Sequence, residues 1–297
     1  MSCAYLFPGQ GAQFCGMGKE LYDRFELARK LFAQADDILG FPLSDTMFHG
    51  SEEELRDTKV TQPAVFLHSY IAYQCLADRK PDMVAGHSLG EYTALAVSGA
   101  LQFEDALRLV SCRAEAMHQC CQKQESGMTA IIKFDTSTVE EVCAGITDEV
   151  VVAANYNSPK QIVISGTLAG LQLAEARLRE AGARLFVPLN VEGAFHSPLM
   201  ESARKQLAEA MEKTPFGKPY CPVYQNVSSK PEVDVETIRQ NLLVQLTHPV
   251  LWTQSILEMA KNGAETFIES GPGNTLQSLL KRIDPTLSGA SIFTILS

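Results

Sequence analysis

The chain has 297 residues, 45% of them hydrophobic and 20% charged. That is enough to bury a sizeable core in one large α/β body carrying a smaller insertion, and it excludes a disordered or fibrous architecture. A formal net charge of −10, with no compensating basic run, argues against nonspecific nucleic-acid binding, which phosphate neutralisation drives.

Polar residues break every apolar run before it reaches a bilayer-spanning length, so no membrane helix is expected. The N-terminus, MSCAYLFPGQGAQ, lacks the basic flank of a signal peptide. The eight cysteines show no C-x-x-C spacing for zinc or a redox pair. A cytoplasmic chain with free thiols follows, and a monomer is the expected state because no heptad or long apolar edge strand is visible.

In chain order, AYLFPGQGAQ reads as a buried strand ending in a Pro/Gly turn. The stretch GMGKELYDRFELARKLFAQADDILG reads as helical, with Leu27, Leu31 and Phe32 among its apolar positions. A helix over QPAVFLHSYIAYQCLADR carries Pro63 near its first turn. A short strand, DMVA, then meets the turn GHSLG and the helix GEYTALAVSGA, the strand-turn-helix setting of a nucleophile elbow. After the helix FEDALRLVSCRAEAMHQCCQ, residues 127–191 alternate in the order β-α-β-β-α-β, the split pattern of a ferredoxin-like subdomain. The expected fold is therefore an α/β-hydrolase-like body with a parallel sheet, residues 1–126 and 192–297, interrupted by that insertion.

Ser88 is the leading nucleophile. Gly86 and Gly90 permit the close backbone approach an elbow needs, and the helix starting near Leu89 aims its amide dipoles at the turn. A serine hydroxyl needs a base. Among the six histidines, His87 adjoins the serine and reads as a packing residue, while His49, His68, His118 and His248 lie where no other polar signal accompanies them. His196 differs, because VEGAFHSPLM combines small residues, an aromatic and a helix-starting Ser-Pro where the chain leaves the insertion. No Asp or Glu stands out as its orienting acid, so a backbone carbonyl is a candidate for that role. Arg113 taken alone is a solvated helix arginine with its stem packed down. Beside Ser88, its guanidinium could hold a substrate carboxylate bidentately. The turn FPGQGAQ lacks the third glycine and the G-K-[ST] ending of phosphate loops, and instead offers a backbone N–H, at Gln10, for an oxyanion.

Together FPGQGAQ, TQPAV, GHSLGEY, LVSCRAEAM, NYNSP, GAFHSPLM, QLTHPVLW and ESGPGNTL, in this order, resemble the malonyl-CoA:acyl carrier protein transacylases, and more broadly the acyltransferase domains of fatty-acid and polyketide synthases. The resemblance implies Ser88 as nucleophile, His196 as base and Arg113 as the grip on the malonyl carboxylate. It likewise implies the amides of Gln10 and Leu89 as oxyanion hole and the main-chain carbonyl of Gln245 as the group orienting the histidine. Asn157, Gln62 and Met117 fall near the family's site. Phe195, before the histidine, resembles the residue of malonyl-selecting relatives, where an aromatic would crowd a methyl branch; Gly193 departs from the polyketide form. Malonyl-CoA and holo acyl carrier protein are the implied partners, with no metal or organic cofactor. Because the chain is acidic, an acidic carrier would need a local basic patch, with Lys160, Arg177, Arg184, Arg204, Lys205 and Lys281 as candidates. A hydrolase using the same serine and histidine, and a noncatalytic carrier-binding scaffold, remain open from the residues alone.

Overall fold

The computed structural model describes residues 2–76 and 80–296. The opening apolar run forms β1 (Ser2–Phe7), followed by α1 (Lys19–Arg24), α2 (Glu26–Leu39), α3 (Leu43–His49) and α4 (Thr58–Gln74). β2 (Met83–Gly86), α5 (Gly90–Val97) and α6 (Phe103–Cys121) complete the first half of the body. Then come β3 (Ser126–Ile132), α7 (Thr136–Ala144), β4 (Val151–Ser158), β5 (Gln161–Thr167), α8 (Leu168–Glu180) and β6 (Leu185–Pro188). The chain continues through α9 (Glu201–Glu212), β7 (Val223–Tyr224), β8 (Pro231–Glu232), α10 (Val235–Val244) and α11 (Trp252–Lys261). It closes with β9 (Ala264–Glu269), α12 (Thr275–Ile283), β10 (Ser288–Ser291) and α13 (Phe293–Leu296).

The larger sheet has the order β10, β9, β1, β2, β7, β8. Its pairings are parallel except at the β7–β8 edge. Alternation along β1 sends Tyr5 and Phe7 into a core with Phe66, Leu95 and Val110, while Ala4 and Leu6 pack with Trp252, Ile256 and Leu280. Both faces are therefore covered by helices, as a parallel sheet requires. The smaller sheet, β4, β5, β3, β6, is antiparallel throughout and has the strand order of a ferredoxin-like unit. Its Ile131, Ile162 and Ile164 face Val139 and Leu178 of its own helices, whereas Met128, Ala130 and Val163 join the core of the larger body. Tyr156 donates its amide to Val250 O at 2.9 Å, so β4 is also tied to the segment ahead of α11.

Two local expectations need correction. The stretch after Gly16 is two helices, because Phe25 is extended (φ −121°, ψ 126°). The break rotates Leu27 outward, where it is 45% exposed, while Phe32 stays buried. α4 begins at Thr58, capped by Asp57, whose carboxylate accepts the Lys59 amide, and Pro63 sits in its second turn. The final residues of that predicted helix, 77–79, lie outside the described residues. α12 is not capped by Asn274; the buried Glu269 carboxylate at the end of β9 accepts the Leu276 and Gln277 amides instead. Among the described residues no helix is long and apolar enough to cross a membrane.

Candidate active site

β2 ends at Gly86 and α5 begins at Gly90, so the chain must reverse over Ser88. A Cβ on Gly86 would lie 1.9 Å from Gly90 backbone atoms, and one on Gly90 2.0 Å from the Phe7 carbonyl. Only glycine permits that approach. Ser88 itself adopts φ 54°, a left-handed conformation that an L residue keeps only when its surroundings impose it.

His196, which also sits at positive φ, 58°, brings Nε2 to 2.7 Å from Ser88 Oγ. Its Nδ1 is 2.9 Å from the main-chain carbonyl of Gln245. A carbonyl only accepts, so Nδ1 carries the proton and Nε2 presents its lone pair to the serine. Burial, with the Arg113 guanidinium adding to it, lowers the His196 pKa to about 3, so the imidazole is neutral at neutral pH. The segment is held from behind by Ser165 Oγ, which donates to the Phe195 carbonyl at 2.6 Å, and by Ser197 Oγ, which donates to Ala194 O at 2.6 Å.

Arg113 is not a solvated helix residue: it is 1% exposed. Its Nη1 donates to Gln62 Oε1 at 2.6 Å, and its Nη2 to Ser88 Oγ at 3.1 Å and Gln245 Oε1 at 3.2 Å. Tyr92 lies beneath the guanidinium at 5.7 Å. Among the described residues it makes no ion pair with a carboxylate, and its Nε has no partner. Desolvation pulls its pKa below the ordinary value, yet an arginine stays charged. A buried guanidinium with no carboxylate in contact, set beside a serine hydroxyl, is suited to bind an anion.

These groups open on a cavity of about 240 Å³ lined by the Pro8–Ala12 turn, His87, Ser88, Arg113, Met117, Asn157, Phe195 and His196, among others. Its wall also includes Met128, Val163, Leu189 and Val191, so its lining is largely apolar. Gln10 borders the cavity, and its side chain donates to Thr58 Oγ1 at 3.2 Å. Neither the Gln10 nor the Leu89 amide has a backbone acceptor among the described residues. Gln62 holds Arg113 and donates to Met117 Sδ at 3.4 Å. Asn157 accepts from His87 Nε2 at 2.8 Å, joining the smaller sheet to the elbow across the cavity.

Sequence reasoning missed three features. Glu91 is buried behind the elbow, and burial raises its pKa to about 7; a lone carboxylate in the apolar run GEYTALAV was the available signal. Asn226 touches the elbow directly, and nothing in its local sequence marks it. His118 pairs with Glu192 at 2.7 Å, whose other oxygen accepts the Thr58 amide. Of the basic-patch residues, Arg204 is paired with Glu201 and Arg177 donates to Gly145 O.

An elbow serine, a carbonyl-oriented histidine and an anion receptor on this fold define an acyl-group-handling α/β protein. A sequence profile of the acyl transferase domain family matches residues 4–291, and the chain belongs to that family. It is 41% identical over 293 residues to the malonyl CoA-acyl carrier protein transacylase of Bacillus subtilis (strain 168), covering 97% of this chain and 92% of the relative. The Escherichia coli (strain K12) protein of the same name is 38% identical, at 97% and 95% coverage. Among solved structures, the malonyl CoA-acyl carrier protein transacylase of Coxiella burnetii superposes with a TM-score of 0.96 at 35% identity, covering 100% of this chain and 97% of that one. A malonyl-transacylase in complex with its type II polyketide acyl-carrier protein gives 0.95 at 37% identity, covering 100% and 99%.

Proposed function

We propose that this chain is a cytoplasmic malonyltransferase, moving the malonyl group from malonyl-CoA to the phosphopantetheine thiol of acyl carrier protein and so supplying malonyl carrier for fatty-acid elongation. The observation that carries this reading is the buried Arg113 guanidinium, which no carboxylate of the described residues contacts, 3.1 Å from the hydroxyl that His196 deprotonates. A malonyl group ends in a carboxylate one methylene from its thioester carbonyl. Arg113 binds that carboxylate, and the carbonyl carbon is delivered to Ser88 Oγ.

In the first half-reaction Ser88 Oγ attacks the thioester carbon as its proton passes to His196 Nε2. The imidazolium that forms is stabilised through Nδ1 by the Gln245 carbonyl. The oxyanion is received by the amides of Gln10 and Leu89. Collapse breaks the C–S bond, the CoA sulfur takes the proton from His196, and a malonyl ester remains on Ser88. In the second half the carrier thiol gives its proton to His196 and attacks the ester, and Ser88 Oγ leaves with that proton. The apolar walls, including Met117 and Phe195, disfavour water as the acceptor, and the Phe195 ring crowds a methyl branch next to the carbonyl. Residues 127–191 act as an insertion into the body formed by 1–126 and 192–297, one that walls the cavity opposite the elbow.

The test is intact-protein mass spectrometry after mixing with malonyl-CoA, then adding buffer or holo carrier protein. The expected adduct requires Ser88, persists in buffer and discharges onto the carrier. An adduct that decays to malonate without carrier identifies a hydrolase, and no adduct at all identifies a carrier-binding scaffold.

A further inference from the structure

The elbow is gripped by a residue that touches no part of the cavity. β7 runs beside β2, pairing Val223 with Val84 and Tyr224 with Ala85. Where this ladder ends, the side chain of Asn226 takes over as the neighbouring strand. Its Oδ1 accepts the Ser88 amide at 2.7 Å and its Nδ2 donates to the Gly86 carbonyl at 2.6 Å. The main chain of Asn226 is fixed as well: its amide donates to Glu91 Oε2 at 2.7 Å and its carbonyl accepts Leu251 N at 2.9 Å. Glu91 is itself held by Gln225 Nε2 at 3.1 Å. All three side chains are buried.

We infer that Asn226, seated by Glu91, is a positioning residue: its side-chain amide holds Ser88 in the left-handed conformation that aims both the nucleophile and the Leu89 amide into the cavity. This rests on the transferase reading for the reaction but on geometry for the grip. The peptide before Ser88 is fixed by the Asn226 acceptor. The peptide after it is fixed by Gln245 Nε2, which donates to Ser88 O at 3.0 Å. A trans peptide is planar with its C=O and N–H opposed, so holding Ser88 O sets the direction of the Leu89 N–H. With both planes fixed, φ of Ser88 has no freedom to relax toward ordinary values. The Asn226 amide supplies the one acceptor and the one donor that Ser88 N and Gly86 O require. A carboxylate would lack the donor for Gly86 O, and an alanine would lack both.

The experiment compares wild type with Asn226→Asp and Asn226→Ala in two reactions at Ser88: adduct formation with malonyl-CoA, and inactivation by a fluorophosphonate, which forms a tetrahedral adduct. Both rates should fall on the order of ten- to a hundredfold, more for alanine than for aspartate. The malonyl-CoA concentration giving half-maximal acylation should stay unchanged, because Asn226 does not contact substrate. Rates equal to wild type in a variant with native circular dichroism would overturn the inference, as would a loss confined to that half-maximal concentration. If neither variant folds, Glu91→Gln, which sets an amide N–H donor against the donors it now accepts, must show the same paired fall. Failure of that variant to fold or to show the fall also overturns it. A wild type that reacts with the fluorophosphonate but not with malonyl-CoA counts against the transferase reading alone.

Discussion

The chemistry of single residues here is set by what burial does to charge. His196, its pKa lowered to about 3 by burial, carries a neutral imidazole at neutral pH and is proposed to act as the base in that form. The rate of Ser88 acylation should therefore show no acid limb near 6.5, and a limb there would mean that solvent reaches the imidazole. Arg113→Ala leaves Gln62 and Gln245 without their shared donor and removes the proposed carboxylate receptor. Malonyl transfer should fall by at least ~100-fold, and Arg113→Lys should recover only part of it, because an ammonium lacks the planar fork. The comparison of malonyl with acetyl transfer checks this, and unchanged discrimination would contradict it. Phe195→Ser should raise acceptance of methylmalonyl-CoA, measured as carrier loading. Ser88 and Arg113 were legible as residue types, one from its glycine frame and the other from the motif resemblance. That Arg113 is buried was not legible, since its neighbours in α6 allow a solvated stem equally well.

At the scale of elements, the site depends on how closely strand, turn and helix can approach. Gly90→Ala places a methyl 2.0 Å from the Phe7 carbonyl, and backbone cannot yield that distance without parting β1 from α5. The variant should be recovered as unfolded or aggregated protein, which circular dichroism and gel filtration will read. Glu269→Gln tests a cap supplied from a distant element. It keeps one acceptor for the two α12 amides but sets an NH2 group against the other, which should cost about 1–2 kcal/mol by urea unfolding. An unchanged midpoint would show that the amides find another acceptor. Helix and strand order was readable because hydrophobic period is a local property. The break at Phe25 and the Glu269 cap were not, since each depends on partners outside its own segment.

Across the whole molecule, buried titratable groups tie stability to pH with opposing signs. His68 and His196 both have their pKa lowered by burial from 6.5 to about 3. The unfolded chain therefore binds protons that the fold refuses, and each site's contribution is lost as pH falls from about 6.5, at about 1.4 kcal/mol per unit. Glu91 works the other way. Its pKa rises from 4.5 to about 7, so its contribution is present below 4.5 and is lost as pH rises through about 7. Acid destabilisation should accordingly steepen below about 4.5, where the Glu91 effect is exhausted. His68→Leu, remote from Ser88, should flatten the slope between pH 6.5 and 4 in urea titrations, and an unaltered slope would mean that His68 is hydrated in the fold.

The sequence by itself determined the α/β order, the ferredoxin-like insertion, the glycine-framed serine, the candidate histidine and, through its motifs, the acyl transferase resemblance. These follow from local periodicity, turn chemistry and short spacings. Tertiary structure alone decided that Arg113 is buried with no carboxylate in contact, that Gln245, whose carbonyl the motif resemblance already implied for His196, also holds Ser88 through its side chain, and that Asn226 grips the elbow. Gln245 and Asn226 reach Ser88 across 157 and 138 positions of chain. Such contacts exist only because the parallel sheet sets β7 beside β2 and the large core closes over them, and burial is a property of that closure rather than of any segment within it.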